Sequence, residues 1–170
     1  MSTTDGQCAQ GGRTPEIYVD GDACPVKEEV LRVATRHGLA VHLVSHQWLR
    51  LGNTPPRVRV VVVSKGTDSA DDWIVEHIQG GDIAVTADIL LAGRCLEVGA
   101  RALRPNGKPF DADSIGMAIA MRDLMANLRD IGQMVGQTAA FTKQDRSRFL
   151  GALENAVQAS LRESRAQGRP

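Results

Sequence analysis

Short apolar runs alternate with amphipathic stretches along most of this 170-residue chain. Ile17–Val19, Val41–Ser45, Val58–Val63, Ile83–Thr86 and Ala102–Leu103 are β-branched or continuously apolar and read as strands. Between them the periodicity changes to that of a helix. Pro25–His37 places Val26, Val30 and Val33 on one face, with Asp22 positioned as a cap, Pro25 in the first turn and Gly38 as the stop. Ser69–Gln79 turns Ile74, Val75 and Ile78 inward, and Ile89–Val98 ends at Gly99. A Pro/Gly-containing loop spans Gln47–Pro56, and Pro105-Asn106-Gly107 reads as a turn. Asp111 or Asp113 then caps a long helix carrying Ile115, Ile119, Met121, Leu124, Met125 and Leu128. A last helix runs from about Thr142 to Leu161, with Phe149, Leu150, Leu153 and Val157 as its stripe.

Strands that are apolar throughout and that alternate with helices predict a mainly parallel sheet covered on both faces. The expected fold class is therefore α/β, a three-layer α/β/α sandwich. No strand separates the two C-terminal helices, which are expected to form a hairpin against the sheet and to shape a wall of any site there. Residues 15–162 are expected to be a single domain. The polar, Gly/Gln-rich residues 1–14 are expected to be a disordered tail, and residues 163–170 a frayed one.

Composition narrows the function classes. Hydrophobic residues make up 42% of the chain, enough for an ordinary core, and the formal net charge is zero, so the whole molecule does not attract polyanions. Two stretches are locally basic. Residues 50–65 hold Arg50, Arg57, Arg59 and Lys65 and no acid, while residues 94–108 hold Arg94, Arg101, Arg104 and Lys108 against Glu97. Either stretch is able to contact phosphates, with Arg50, Arg57, Arg59 and Lys65 as the candidates, while solvated surface accounts for most of these residues. Cys8, Cys24 and Cys95 have neither metal-type nor redox-type spacing, which suits a reducing, cytoplasmic setting. With no apolar core near the N-terminus and no run of roughly 18 apolar residues, neither a signal peptide nor a membrane partner is expected. No protein partner is implied.

The chemistry-bearing pattern is acidic. Ile17-Tyr18-Val19 runs into Asp20-Gly21-Asp22, and Ile83-Ala84-Val85-Thr86-Ala87 runs into Asp88. In a parallel α/β sheet, ligands bind beyond the carboxyl ends of the strands. Asp20, Asp22, Asp71 and Asp88 are thus candidate catalytic residues, with Asp20, Asp71 and Asp88 as candidate ligands of Mg²⁺ or Mn²⁺, hard cations that favour oxygen donors. Crowded carboxylates raise one another's pKa, and a divalent cation relieves that repulsion. Asp22, Asp71 and Asp72 also suit the first turns of helices, where the helix dipole rewards a negative charge, and Asp72 is assigned to that role alone. Cys24, flanked by Asp20 and Asp22, reads as a small buried residue. The four histidines share no ligand spacing, and of these His46, just after a strand, is the one that can approach the site. The chain lacks GxxxxGK[ST], GxGxxG and GxSxG, which counts against P-loop ATPases, nicotinamide enzymes and serine hydrolases.

Two resemblances bear on these residues. Asp20-Gly21-Asp22 after a strand resembles the first motif of haloacid dehalogenase-type phosphatases, which implies Asp20 as nucleophile and Asp22 as acid/base, with Ser45 and Lys65 as later motif residues. A longer resemblance covers residues 17 to about 157. Asp20-Gly21-Asp22-Ala23-Cys24-Pro25, Gly66-Thr67-Asp68-Ser69-Ala70-Asp71, Val85-Thr86-Ala87-Asp88-Ile89-Leu90-Leu91-Ala92 and Met121-Arg122-Asp123 look like the YaiI/YqxD family, which is placed among PIN-like domains. The family itself has no established activity. The resemblance implies a PIN-like fold, whose nucleases hold Mg²⁺ or Mn²⁺ on such acids and hydrolyse RNA or DNA. The expected function is a divalent-metal-dependent nuclease with RNA preferred over DNA. Asp20, Asp71 and Asp88 match the acidic positions of PIN-like nucleases, Asp22 belongs to the family's own signature, and Asp68 is a further candidate. Ser45-His46 stands where the family often has Ala-Asn, and Gly136-Gln137-Thr138 replaces a Gly-Gly-Pro-like turn. Ile89, Leu90 and Leu91 stand where many PIN nucleases carry another acid. A non-catalytic metal- or RNA-binding module is the third reading.

Overall fold

The computed structural model describes residues 12–22, 24–66, 69–130 and 140–168, and of residues 128–130 the backbone alone. The elements follow in the order β1 (Ile17–Asp20), α1 (Lys27–His37), β2 (Val41–Ser45), β3 (Val58–Val62), α2 (Ser69–His77), β4 (Ile83–Val85), α3 (Ile89–Glu97), β5 (Arg101–Leu103), α4 (Ala112–Asp130) and α5 (Lys143–Gln167). The five strands form one sheet in the order β3-β2-β1-β4-β5, and every pairing is parallel.

Alternation along each strand divides the core in two. Ile17, Val19, Leu43, Ile83, Val85 and Leu103 face α1 and α5, where they meet Val26, Val30, Val33, Phe149, Leu153 and Val157. Tyr18, Val44, Ala84 and Ala102 face the opposite side, against Ala70, Ile74, Leu91, Ala92 and Cys95 of α2 and α3. The result is the expected three-layer α/β/α arrangement. Its strand order reflects crossover handedness. From β1 the chain steps outward through β2 to β3, then returns over the sheet to β4 and continues outward to β5. Right-handed crossovers in opposite directions put their helices on opposite faces. The carboxyl ends of β1 and β4 therefore flank the point where the chain direction reverses, the place where ligands bind in open α/β sheets.

The structure corrects several expectations. α1 begins at Lys27, after a turn at Pro25-Val26, and no side chain caps it, so Asp22 is released for another role. The two C-terminal helices do not form a hairpin. α4 lies against α3 on one face, and α5 lies against α1 and the sheet on the other. Of the predicted stripe of α4, Ile115 and Ile119 pack inward, Met121 and Leu124 are exposed, and the Leu128 side chain lies outside what the structure describes. Asp111 does cap this helix, accepting from Ser114 N at 2.7 Å. α5 continues to Gln167, beyond the expected end at Leu161. In its last turns Arg101 pairs with Glu163, and Ser164 Oγ donates to the carbonyl of Arg13 at 2.7 Å. The residues expected to fray from 163 are thus helical through Gln167.

Arg13, assigned by composition to the tail, is held as well. Its guanidinium donates to Asp82 Oδ1 at 2.7 Å, and the wholly buried Asp82 carboxylate also accepts from Glu16 N and Gln79 N, each at 2.9 Å. One side chain thereby joins the entries to β1 and β4. Asp82→Ala removes the acceptor shared by two part-buried backbone donors and the Arg13 guanidinium, and each such group left unsatisfied costs about 1–3 kcal/mol. The expected loss of stability is about 2–4 kcal/mol, read from the urea midpoint at unchanged m-value.

Gly107 is required where it stands. Its φ is +87°, and a Cβ there would lie 2.7 Å from the carbonyl carbon of Arg148. The turn after β5 thus rests directly on the α5 backbone.

Candidate active site

β1 delivers Asp20 to the switch point at the end of a wholly apolar strand. The next residue has to pass tightly against β2. Gly21 N donates to the Val44 carbonyl at 2.7 Å, and a Cβ on Gly21 would sit 3.0 Å from that oxygen and 2.9 Å from Leu49 Cδ1. The absence of a side chain lets the Asp20-Gly21-Asp22 turn lie flat on the sheet edge. Asp22 then points across to the end of β2. It accepts Ser45 Oγ at 2.5 Å and His46 N at 3.0 Å, and His46 Nε2 stands 3.6 Å from its second oxygen. This explains why a capping position that looked good in sequence is not used.

β4 supplies the other side. Thr86 is buried, and its hydroxyl donates to Asp20 Oδ2 at 3.3 Å while accepting Asp88 N at 2.9 Å. A single threonine thus ties the two strand ends together. Asp88 is the N-cap of α3, accepting Leu90 N at 2.8 Å and Leu91 N at 3.3 Å. It therefore fixes the helix start while also contributing negative charge to the crevice.

The electrostatics converge on Asp20. Burial pushes its carboxyl above the ordinary value. The charges of Asp22 and Asp88 push the same way, against the hydrogen bonds from Thr86 and from the Asp22 backbone. Asp88, distant in sequence, thus acts on Asp20 together with its near neighbour Asp22. Asp71 is half-buried on α2, and its charge is felt at Cys95 on α3, whose thiol is pushed up to about 12 mainly by burial. Asp72 pairs with Arg94 at 2.9 Å, consistent with a surface role. Asp68 lies outside the described residues, as do Gly136-Gln137-Thr138. Among the described residues, no three His, Cys, Asp or Glu side chains form a group able to hold a metal ion.

Cys24 is buried, and its thiol is pushed up to about 11, chiefly by that burial. It is a core residue with no thiolate character. His42 stacks on Tyr18 at 4.6 Å between ring centroids and contacts Glu16 at 2.7 Å. His77 stacks on Trp73 at 3.8 Å, and His37 meets Glu154 at 2.7 Å. These three histidines have structural surroundings, and His46 is the one at the site.

The candidate basic residues are spread out. Lys65 follows the carboxyl end of β3, and Arg50 is exposed in the loop that leaves β2. Arg57 precedes β3 and lies at the opposite end of the sheet from Asp20, near Gly38 and Pro55. Two further features emerge only in the fold. Trp48, two residues beyond His46, is 71% exposed. Arg104 and Arg122, from β5's exit and from α4, line a cavity of about 420 Å³ together with Ala87, Asp88 and Ile89.

Residues 18–159 match the profile of the family described as Uncharacterized BCR, YaiI/YqxD family. The chain belongs to this family. Similar proteins include a UPF0178 protein of Parvibaculum lavamentivorans, 58% identical over 147 residues, spanning 86% of this chain and 96% of the relative. Another, from Rhodospirillum rubrum, is 54% identical over 147 residues, spanning 86% of this chain and 98% of the relative. A third, from Mesorhizobium japonicum, is 53% identical over 148 residues, spanning 87% and 95%. The stretch matched to the YaiI/YqxD family takes in Asp20, Asp22, Asp71 and Asp88. No solved structure matches the chain. Among the described residues of this YaiI/YqxD member, no helix is long and apolar enough to cross a membrane.

Proposed function

We propose that this protein is a divalent-metal-dependent hydrolase of phosphodiester bonds, acting on single-stranded RNA in preference to DNA. The observation that carries the reading is the coupling of Asp20 to Asp22 and Asp88 at the switch point between β1 and β4. A half-buried carboxylate facing two more negative charges is costly to the fold unless a cation compensates it. The donors are all carboxylate oxygens, which suits Mg²⁺ or Mn²⁺.

The absence of a three-residue cage among the described residues is compatible with this chemistry. Mg²⁺ retains several waters and is held by one or two carboxylates plus substrate phosphates. Asp20 and Asp88 are the residues that would hold the ion, with Asp71 as a further candidate on the α2 side. A bound ion of this kind lowers the pKa of an attacking water and neutralises charge on the phosphoryl oxygens. The protein's own contribution is positional. Thr86 fixes Asp20, and Ser45 with the His46 backbone fixes Asp22, whose outer oxygen faces the His46 ring and is placed to accept a proton. Lys65 and Arg50 leave the carboxyl ends of β3 and β2 and carry positive charge for the phosphates. Trp48 offers a face on which a base can stack, an interaction that accepts any sequence. A PIN-like relationship is consistent with the all-parallel sheet and with acids at two strand ends.

The test is turnover of single-stranded RNA, single-stranded DNA and a phosphate monoester, with and without Mn²⁺. Mn²⁺-dependent cleavage of RNA, at least about tenfold faster than of DNA, is the expected result. Monoester turnover through an aspartyl phosphate on Asp20 would replace this reading with a phosphatase one. Metal binding without turnover of any substrate would make the protein a binding module.

A further inference from the structure

The cavity lined by Ala87, Asp88, Ile89, Arg104 and Arg122 borders the carboxylate crevice on the β5 side. Neither arginine is used in holding the described fold together in the way that Arg13 and Arg101 are. The Arg104 guanidinium lies over the Phe110 ring, 4.5 Å from its centroid, and among the described residues it pairs with no carboxylate. Its backbone is held firmly, donating to the Lys108 carbonyl at 2.9 Å and accepting from Gly107 N at 2.9 Å. Arg122 is about half exposed on α4. Its one carboxylate neighbour among the described residues is Asp88, 4.0 Å away, at the limit of an ion pair. Asp88 already accepts two backbone N–H groups of α3. Two guanidinium groups against one engaged carboxylate leave the cavity with a net positive charge.

We propose that Arg104 and Arg122 form an anion subsite that holds a phosphate group of a single-stranded nucleic acid beside the Asp20-Asp22-Asp88 crevice. A planar guanidinium presents paired donors that match two phosphate oxygens, and Phe110 limits the motion of one of them, so less entropy is lost on binding. The subsite is sequence-blind, because phosphate contacts position a strand without reading it. It deepens the hydrolase reading by naming where the strand lies, yet it can be tested without turnover.

The test is the anisotropy of a fluorescein-labelled ten-nucleotide oligouridylate in EDTA, titrated with the wild type, Arg104→Ala, Arg122→Ala, the double variant and Arg165→Ala. Each site variant is expected to weaken binding roughly tenfold, in the range of a missing charge-assisted hydrogen bond. The double variant should also lower the slope of log K against log salt by about 0.7 for each phosphate that is no longer neutralised. Arg165→Ala, at the far end of α5, should stay within about twofold of wild type. Arg104→Lys should recover part of the affinity, because the charge persists without the fork. Urea midpoints for Arg122→Ala should equal wild type, separating binding from folding. Competition by uridine monophosphate and by inorganic phosphate distinguishes a strand from a free anion, and displacement by inorganic phosphate as effective as by the oligonucleotide would overturn the strand assignment. Wild-type affinity in the double variant, or no binding by the wild type, would overturn the subsite. If the arginine variants lose binding while the wild type fails to cleave RNA with Mn²⁺, the hydrolase reading falls and the subsite stands.

Discussion

Asp20→Asn is expected to make the protein more stable at pH 7 and to lower its Mn²⁺-dependent cleavage of RNA by at least about 10²-fold, the loss typical of removing one group that stabilises transition-state charge. The stability effect follows from proton linkage. The Asp20 carboxyl is raised in the folded chain by burial and by Asp22 and Asp88, so the folded state binds its proton more tightly than the unfolded state. Stability is then undiminished below the ordinary carboxylate range. It falls as pH rises through that range to the raised folded value, and stays at the lower level above it. Asparagine keeps the shape and the Thr86 contact and carries no charge to desolvate. With Asp20 partly open to solvent, a gain of about 1 kcal/mol is reasonable, or about 2–4 °C in Tm for a chain of this size. The two proteins should converge as pH falls through the carboxylate range. A variant that is less stable at pH 7, or one that retains full cleavage, would contradict this role for Asp20. A residue that lowers stability where it stands yet is needed for activity has the signature of a functional position.

Phe149→Ala is expected to cost about 3–5 kcal/mol, the usual loss for a large aromatic removed from a core, and to lower Tm by about 6–20 °C. Phe149 is wholly buried, in the cluster shared by α1, α5 and the sheet strands. Its backbone also seats Gly107, in the turn that follows Arg104. The variant should therefore loosen more than a helix. In addition to the lower midpoint in thermal unfolding, its affinity for the labelled oligonucleotide should fall at temperatures where the chain is still folded. A change below about 1.5 kcal/mol would mean that α5 is not an integral part of the sandwich.

The strands were readable because each is a short β-branched or apolar run between turn residues, and the three-layer class followed from their alternation with helices. The strand order was not readable, since it depends on which side of β1 each crossover returns to. Asp20 and Asp88 were found because both end an apolar run. Asp22 was misplaced because Asp-x-x-Pro before a helix imitates a cap, and only the position of β2 shows that Ser45 and His46 compete for its oxygens. Asp82 was overlooked because an aspartate after Gly80-Gly81 reads as a turn residue, and its three partners come from residues 13, 16 and 79. Arg104 belongs to a basic stretch and Arg122 to the Met121-Arg122-Asp123 motif, but nothing local brings the two together. They are joined by the return of α4 over α3, a contact that no window of sequence contains.

α4 also shows where periodicity misleads. Its apolar spacing predicts a full core stripe, but Ile115 and Ile119 in the first part of the helix pack inward while Met121 and Leu124 remain exposed.

Asp20 is proposed as one corner of a carboxylate site built for a divalent cation, and the hydrolase reading depends on it. Calorimetric titration of Mn²⁺ into the wild type and Asp20→Asn, at pH 7 and without nucleic acid, tests it most directly. The expected result is one saturable site in the wild type, weakened at least about tenfold in the variant, the effect of losing one charged oxygen ligand. Equal Mn²⁺ affinity in the two proteins would contradict it.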